Sequence, residues 1–244
     1  MRKPGPEIRI EDAVAKHVPN LFLRDDIPFW AGGSVPIGAG MPDLLIASYN
    51  PEVFALAQIG LPDTQILGYL RAVKNARLET IVERVGKPKR MVTRCLNDLV
   101  EMDAIKSGPQ TFALSPKWRT LLPEITAVEA KVSNWRRAIE QATRNSIFAH
   151  RSYVALPENV ARRAFVESSF QSSGIGIISV ADNDEATIIR RSRSFQPKVW
   201  YYYYQLAHLI ANPGKKIKHN ALHSSNDGCT GSVSKLQIHQ AVDA

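Results

Sequence analysis

Two short stretches carry the residues best suited to chemistry. Ile125–Arg137 begins with alternating character: Val128, Ala130 and Val132 would share one apolar side of a strand, and Glu129, Lys131 and Ser133 the other. A carboxylate and an ammonium are thereby held side by side, near a strand end where Asn134 and Trp135 begin a helix. Upstream, Gly38–Ser48 reads as a glycine-rich turn feeding a short apolar strand, with Pro42 at its opening because proline lacks the amide a ladder needs. Asp43 then sits at the strand's first exposed corner. Taken alone, Glu129 and Lys131 could be an exposed ion pair on an edge strand, worth roughly 0–1 kcal/mol. With Asp43 added, two carboxylates and one ammonium form a set able to hold a hard divalent cation and orient a water.

Pro42-Asp43 followed by Glu129-x-Lys131 on two strands resembles the PD-(D/E)xK nuclease superfamily, which holds many restriction enzymes and the archaeal Holliday-junction resolvases. The resemblance extends over about two thirds of the chain, judged by element order. It implies an α/β fold: a restriction-endonuclease-like mixed sheet flanked by helices. It also implies a metal-dependent DNA endonuclease using Mg2+ or Mn2+, with Asp43, Glu129 and Glu11 as metal ligands and Glu7 in reserve for Glu11. Lys131 would orient the attacking water or stabilise the transition state. Gln141, on the helix after the Glu-x-Lys strand, is a further candidate, because relatives often place a glutamine or basic residue there. Hydrolysis of a phosphodiester builds negative charge on the phosphorane oxygens and the leaving 3′-oxygen, and a metal would neutralise it.

The elements that must position these residues can be read along the chain. Glu7–Val18 is expected to be a helix with Ile10, Val14 and Val18 on one face. Leu21–Ser48 reads as a hairpin, with strands at Leu21-Phe22-Leu23, Ile27–Trp30 and Met41–Ser48. Gly38 and Gly40 supply turn chemistry there; no phosphate-loop pattern surrounds them. Asp43 and Glu129 lie 86 residues apart, so an insertion separates the two strands. Gln65–Lys74, Leu78–Val85 and Pro88–Met102 read as three helices, and Ala104–Ser107 with Thr111–Leu114 as a hairpin. This pattern resembles a winged helix-turn-helix module, which implies base or phosphate contacts from Lys87, Lys89, Arg90, Thr93, Arg94 and Asn97 on the third helix and from Lys106 on the wing. The expected order continues with helix Trp135–Ala149, strand Tyr153–Pro157, helix Glu158–Gln171, strands Gly174–Val180 and Ala186–Arg190, and a tyrosine-rich helix Val199–Ala211. The division expected is a nuclease core over 1–61 and 121–211, a DNA-binding insert over 62–120 and a flexible tail over 212–244. His219, His223 and His239 in that tail show no regular metal-ligand pattern.

Composition fits this assignment. The 244 residues are 44% hydrophobic and 22% charged, enough for a sizeable core. Net charge is +8 with a pI near 9.6, which favours a polyanionic partner. Residues 62–120 hold eleven Lys/Arg against six Asp/Glu, so five of the eight excess charges belong to the insert. No apolar run approaches the roughly 20 residues of a membrane span, and the N-terminal residues do not read as a secretion signal. Cys95 and Cys229 offer neither a disulfide framework nor a metal spacing, which makes a reducing cytoplasm the expected location. DNA is thus the expected partner, and cutting both strands needs two active sites, which a homodimer would supply. The functional expectation is a DNA endonuclease serving restriction or another defence against foreign DNA. Two alternatives from other classes stand beside it: a DNA-binding regulator with an inactive nuclease-like core, and an assembly protein whose winged helix meets another protein.

Overall fold

A computed structural model describes residues 5–22, 27–38, 40–212 and 237–240. Six strands form a mixed sheet: β1 (Phe29–Gly33), β2 (Leu44–Ser48), β5 (Ile125–Ala130), β6 (Arg151–Pro157), β7 (Gly176–Val180) and β8 (Ala186–Arg190). Their spatial order is β8-β7-β6-β5-β2-β1, and β9 (Gln237–Gln240) extends the β1 edge. Strands β5, β6 and β7 run parallel; β1, β2, β8 and β9 pair antiparallel with their neighbours. Every residue of β5 is buried, as a parallel strand covered on both faces requires.

The alternation of β5 distributes its side chains between two cores. Val128 and Ala130 pack with Phe29, Leu44, Ile46 and Ala155 against Ile10, Ala13 and Val14 of helix α1 (Pro6–Lys16). Ile125 and Ala127 face the other way, into a core with Trp30, Leu45 and Ala47. The parallel connections are helical: α6 (Trp135–Asn145) joins β5 to β6, and α7 (Glu158–Phe165) with α8 (Ser168–Ser173) joins β6 to β7. Their small residues Ala138, Ala142, Ala161 and Ala164 let both crossovers lie close over Val154 and Ile177.

Between β2 and β5 the chain makes a 3-10 helix (Pro51–Gln58), then α3 (Leu61–Ala72), α4 (Leu78–Val85), α5 (Lys89–Glu101) and a two-stranded hairpin of β3 (Ile105–Ser107) and β4 (Phe112–Leu114). Three helices and a hairpin are therefore present where the sequence places them. Gly108 N–H to Thr111 O (2.8 Å) closes the hairpin turn. Buried Leu67, Leu70, Ile81, Val92, Leu96 and Leu99 share one continuous core with Ile125 and Ala127 of the sheet. Helix α9 (Trp200–Ala211), the last among the described residues, bridges the two regions. It lies so close to α3 that a Cβ at Gly68 would stand 2.7 Å from Tyr201 N.

Several local expectations are corrected. Leu21 and Phe22 belong to a short helix, α2 (Val18–Phe22), not a strand; Leu23 lies outside the described residues. Phe22 instead meets Tyr153 edge to face at 5.3 Å, which fastens α2 to the sheet. Strand β1 starts at Phe29, because Pro28 has no amide to give the ladder. The helix expected over Glu158–Gln171 is broken after Phe165, where Val166 is 81% exposed and offers no buried contact to continue it. The tyrosine-rich helix buries Tyr203 and Tyr204, whose hydroxyls bond Leu122 and Trp118 backbone atoms. Of the expected tail, Asn212 is described and Gln237–Gln240 pairs with β1; the rest, including His219 and His223, lies outside the described residues. Among the described residues no helix is long and apolar enough to cross a membrane.

Candidate functional site

The chemistry-bearing residues converge at one end of the β2–β5 pair. The antiparallel register sets Leu44 opposite Val128, so the next pair outward is Asp43 and Glu129. Asp43 is fixed by accepting the Ala130 N–H at 2.8 Å through Oδ2. Strand β5 stops at Ala130, and this ending separates its two charged neighbours. Glu129 remains in the strand and leans toward α6, where Asn145 Nδ2 donates to Oε1 at 2.8 Å. Lys131, just past the end, turns over the strand terminus: its Nζ donates to Ala130 O at 2.6 Å and approaches Asp43 Oδ2 at 3.4 Å and Glu7 Oε2 at 3.5 Å. Lys131, 88 residues further along the chain, is thus returned to ion-pair contact with Asp43.

Two of the three acids of the first helix, Glu7 and Glu11, act on this cluster. Glu7 pairs with Lys131, and Glu11 is coupled to Asp43 and Lys131. The two sequence-predicted options, Glu11 and Glu7, are therefore both neighbours of Lys131. Burial first, and then the Asp43 carboxylate, push Glu11 up to about 7. Glu129 is only 2% exposed, and burial raises it likewise to about 7, opposed by the Asn145 hydrogen bond and raised further by Asp43. Four acids, Asp43, Glu129, Glu7 and Glu11, gather around the single ammonium of Lys131. Glu129 Oε2 is in addition buried with no hydrogen-bond partner.

That deficit is the right kind of site for a divalent cation. Hard carboxylate oxygens from Asp43, Glu129 and Glu11 match Mg2+ or Mn2+ in donor type. Among the described residues, however, no three His, Cys, Asp or Glu side chains stand together as a ready-made metal cage. In this arrangement Lys131 supplies the positive charge beside Asp43 and Glu7.

The expected Gln141 does not make a hydrogen bond to the site; its Oε1 is buried without a partner. The α6 side chain that reaches Glu129 is Asn145, one turn later on the same face, and sequence reasoning passed it over. Its signal was the four-residue step from Gln141, a polar residue recurring on the helix face that carries Ala138 and Ala142.

The second candidate region is α5 and its hairpin. Val92, Cys95, Leu96 and Leu99 turn inward, while Lys89, Arg90, Arg94 and Asn97 are exposed and Lys87 and Thr93 half-buried. Thr93 Oγ1 donates to Lys89 O at 2.9 Å. Lys89 pairs with Glu79 at 3.6 Å and Arg94 with Asp98 at 3.8 Å, both in water-exposed positions. Lys106 is exposed on β3. This surface is basic, accessible and held on a helix whose opposite side is firmly packed.

Comparison of the chain with protein-family models, curated proteins and solved structures found no match.

Proposed function

We propose that the protein is a Mg2+- or Mn2+-dependent deoxyribonuclease of the PD-(D/E)xK type that hydrolyses phosphodiester bonds of DNA gripped by a winged-helix insert over residues 62–120. The observation that carries this reading is the return of Lys131 and Glu129 to Asp43 from a distant part of the sequence, in a cluster short of positive charge. Asp43, Glu129 and Glu11 would hold the ion. A bound divalent cation supplies charge neutralisation and acidifies coordinated water.

The protein's own side chains divide the remaining work. Asp43, oriented by the Ala130 N–H, keeps Lys131 anchored at the strand end. The Lys131 ammonium can donate to the attacking water or to a phosphorane oxygen as charge grows there. Glu129, raised to about 7 by burial while no cation is bound, would be held ionised once a divalent cation met its free oxygen. Arg90, Arg94 and Asn97 would meet the duplex from α5, with Lys87, Lys89, Thr93 and Lys106 beside them. Their exposed ion pairs to Glu79 and Asp98 are weak enough to exchange for phosphates. Incubating plasmid with the protein and Mg2+ should produce nicks, and Glu129→Ala should not. Absence of nicking with either Mg2+ or Mn2+ would sink the reading.

A second reading has one observation in its favour. Lys131 is already ion-paired with Asp43 and Glu7, and the described residues offer no ready-made metal cage. This suits a DNA-binding regulator built on an inactive core. Duplex binding in a gel shift, combined with no cleavage under either metal, would select it.

A further inference from the structure

The Asn145 side chain touches no solvent and sits where it controls the orientation of Glu129. It is 1% exposed, and its Nδ2 lies 2.8 Å from Glu129 Oε1. Its other end faces Gly40: a Cβ added there would stand 2.9 Å from Asn145 Oδ1, so only a glycine leaves the carboxamide its room. Gly40 belongs to the turn that leads into Asp43, closed by paired hydrogen bonds between Ile37 and Gly40 at 2.9 and 3.1 Å. On that turn's far side Gly38 (φ +61°) accepts the Tyr202 ring of α9. The carboxamide is therefore wedged between the backbone that delivers one acid of the cluster and the carboxylate of another.

From this geometry we propose that Asn145 is the positioning residue of the site: it holds one oxygen of Glu129, leaves the other available to a divalent cation, and uses the bare backbone of Gly40 as its seat. The inference rests on the metal-dependent nuclease reading. Two features of the chemistry support it. The Asn145 amide nitrogen donates to Glu129 Oε1, so this contact fixes the carboxylate without occupying Oε2. The second oxygen, Oε2, is buried and unpartnered, which is costly unless something fills the position during function. Groups that orient metal ligands in this way commonly change metal affinity by about 10–100-fold when removed.

The test compares four proteins: wild type, Asn145→Ala, Asn145→Asp and Gly40→Ala. Mn2+ binding followed by electron paramagnetic resonance gives a readout independent of turnover, and cleavage kinetics with duplex DNA give kcat and KM separately. Asn145→Ala is expected to weaken Mn2+ binding about 10–100-fold and to lower kcat while KM for DNA holds. Asn145→Asp places a second anion against Glu129 and should lower kcat further. Gly40→Ala leaves every polar group of the site in place; it should reproduce the Asn145→Ala defect in milder form by displacing the carboxamide. In a Glu129→Gln background, adding Asn145→Ala should cost no further Mn2+ affinity, because the two residues act as one unit. Should Asn145→Ala fail to fold, Gly40→Ala and the double-variant comparison carry the test. A wild type that cleaves and binds Mn2+, with Asn145→Ala and Gly40→Ala indistinguishable from it, overturns this inference alone. A wild type that neither cleaves nor binds Mn2+ removes the nuclease reading and the role of Asn145 with it.

Discussion

The strand-end cluster and the outer face of α5 carry charge under opposite conditions. At the cluster, Glu129 is 2% exposed, Lys131 is pressed against its own strand end, and two carboxyl groups are lifted to about 7. On α5, the Arg94 side chain is 83% exposed and its ion pair with Asp98 stretches to 3.8 Å. Desolvation makes each charge at the first site costly and strongly coupled to its neighbours. Solvent makes each charge at the second nearly independent and cheap to redirect. The contrast predicts large, specific effects from single substitutions at the cluster and modest, additive, salt-dependent ones along α5.

The sharpest break between the two regions should come from Lys131→Ala. Cleavage is expected to fall on the order of 10²–10³-fold, with duplex affinity close to wild type by gel shift. Equal losses in both measurements would erase the separation of roles.

Glu129→Gln should next reveal the cost of the buried charge. The native carboxyl titrates near 7, against about 4.3 in an unfolded chain, so the native state binds more protons between those values. Stability should therefore decline as pH rises from about 4.5 to 7, and the full deficit should persist above 7. Removing the charge while keeping an acceptor for Asn145 should make metal-free Glu129→Gln more stable than wild type at pH 8 by about 1–3 kcal/mol, with no difference near pH 4. Thermal melts across pH read this directly, and added Mg2+ should narrow the gap.

The double variant Arg90→Ala with Arg94→Ala should weaken duplex binding and reduce the slope of log affinity against log salt by about 2, without altering the pH dependence of stability. An unchanged slope would remove α5 as the DNA-facing element. Lys106→Ala should have the smallest effect, lowering the slope by about 1.

Much of the frame was legible in the sequence because periodicity encodes burial. Ile10, Val14 and Val18 do enter one core, although the helix expected over Glu7–Val18 ends at Lys16 and Val18 opens α2; Val92, Leu96 and Leu99 do turn away from Arg90 and Arg94, and β6, β7, β8 and the three central helices lie close to their expected ranges. The strand expected at Leu21-Phe22-Leu23 failed for a physical reason: a three-residue apolar run has no readable period, and the contact of Phe22 with Tyr153 is a tertiary fact. The site was legible in its residue types but not in its detail. Alternation placed Glu129 and Lys131 on one side of a strand, yet β5 ends between them and sends Lys131 toward Glu7. Asn145 stayed hidden because an amide that recognises one carboxylate carries no motif. Only packing showed that the polar stripe begun at Gln141 reaches its target one turn later.

The contact between Gly68 and Tyr201 has a mechanical consequence. At that crossing α3 and α9 meet backbone to backbone, with no room for even a methyl group, and α5 shares one core with both helices and the sheet. In the proposed nuclease, a duplex on α5 would be carried by a helix that shares a core with the sheet rather than by a swinging tether. Since DNA is stiff over about 150 base pairs, the cut would fall at a fixed offset from the gripped segment, like a ruler, and lengthening the chain between Ala72 and Leu78 should not move it.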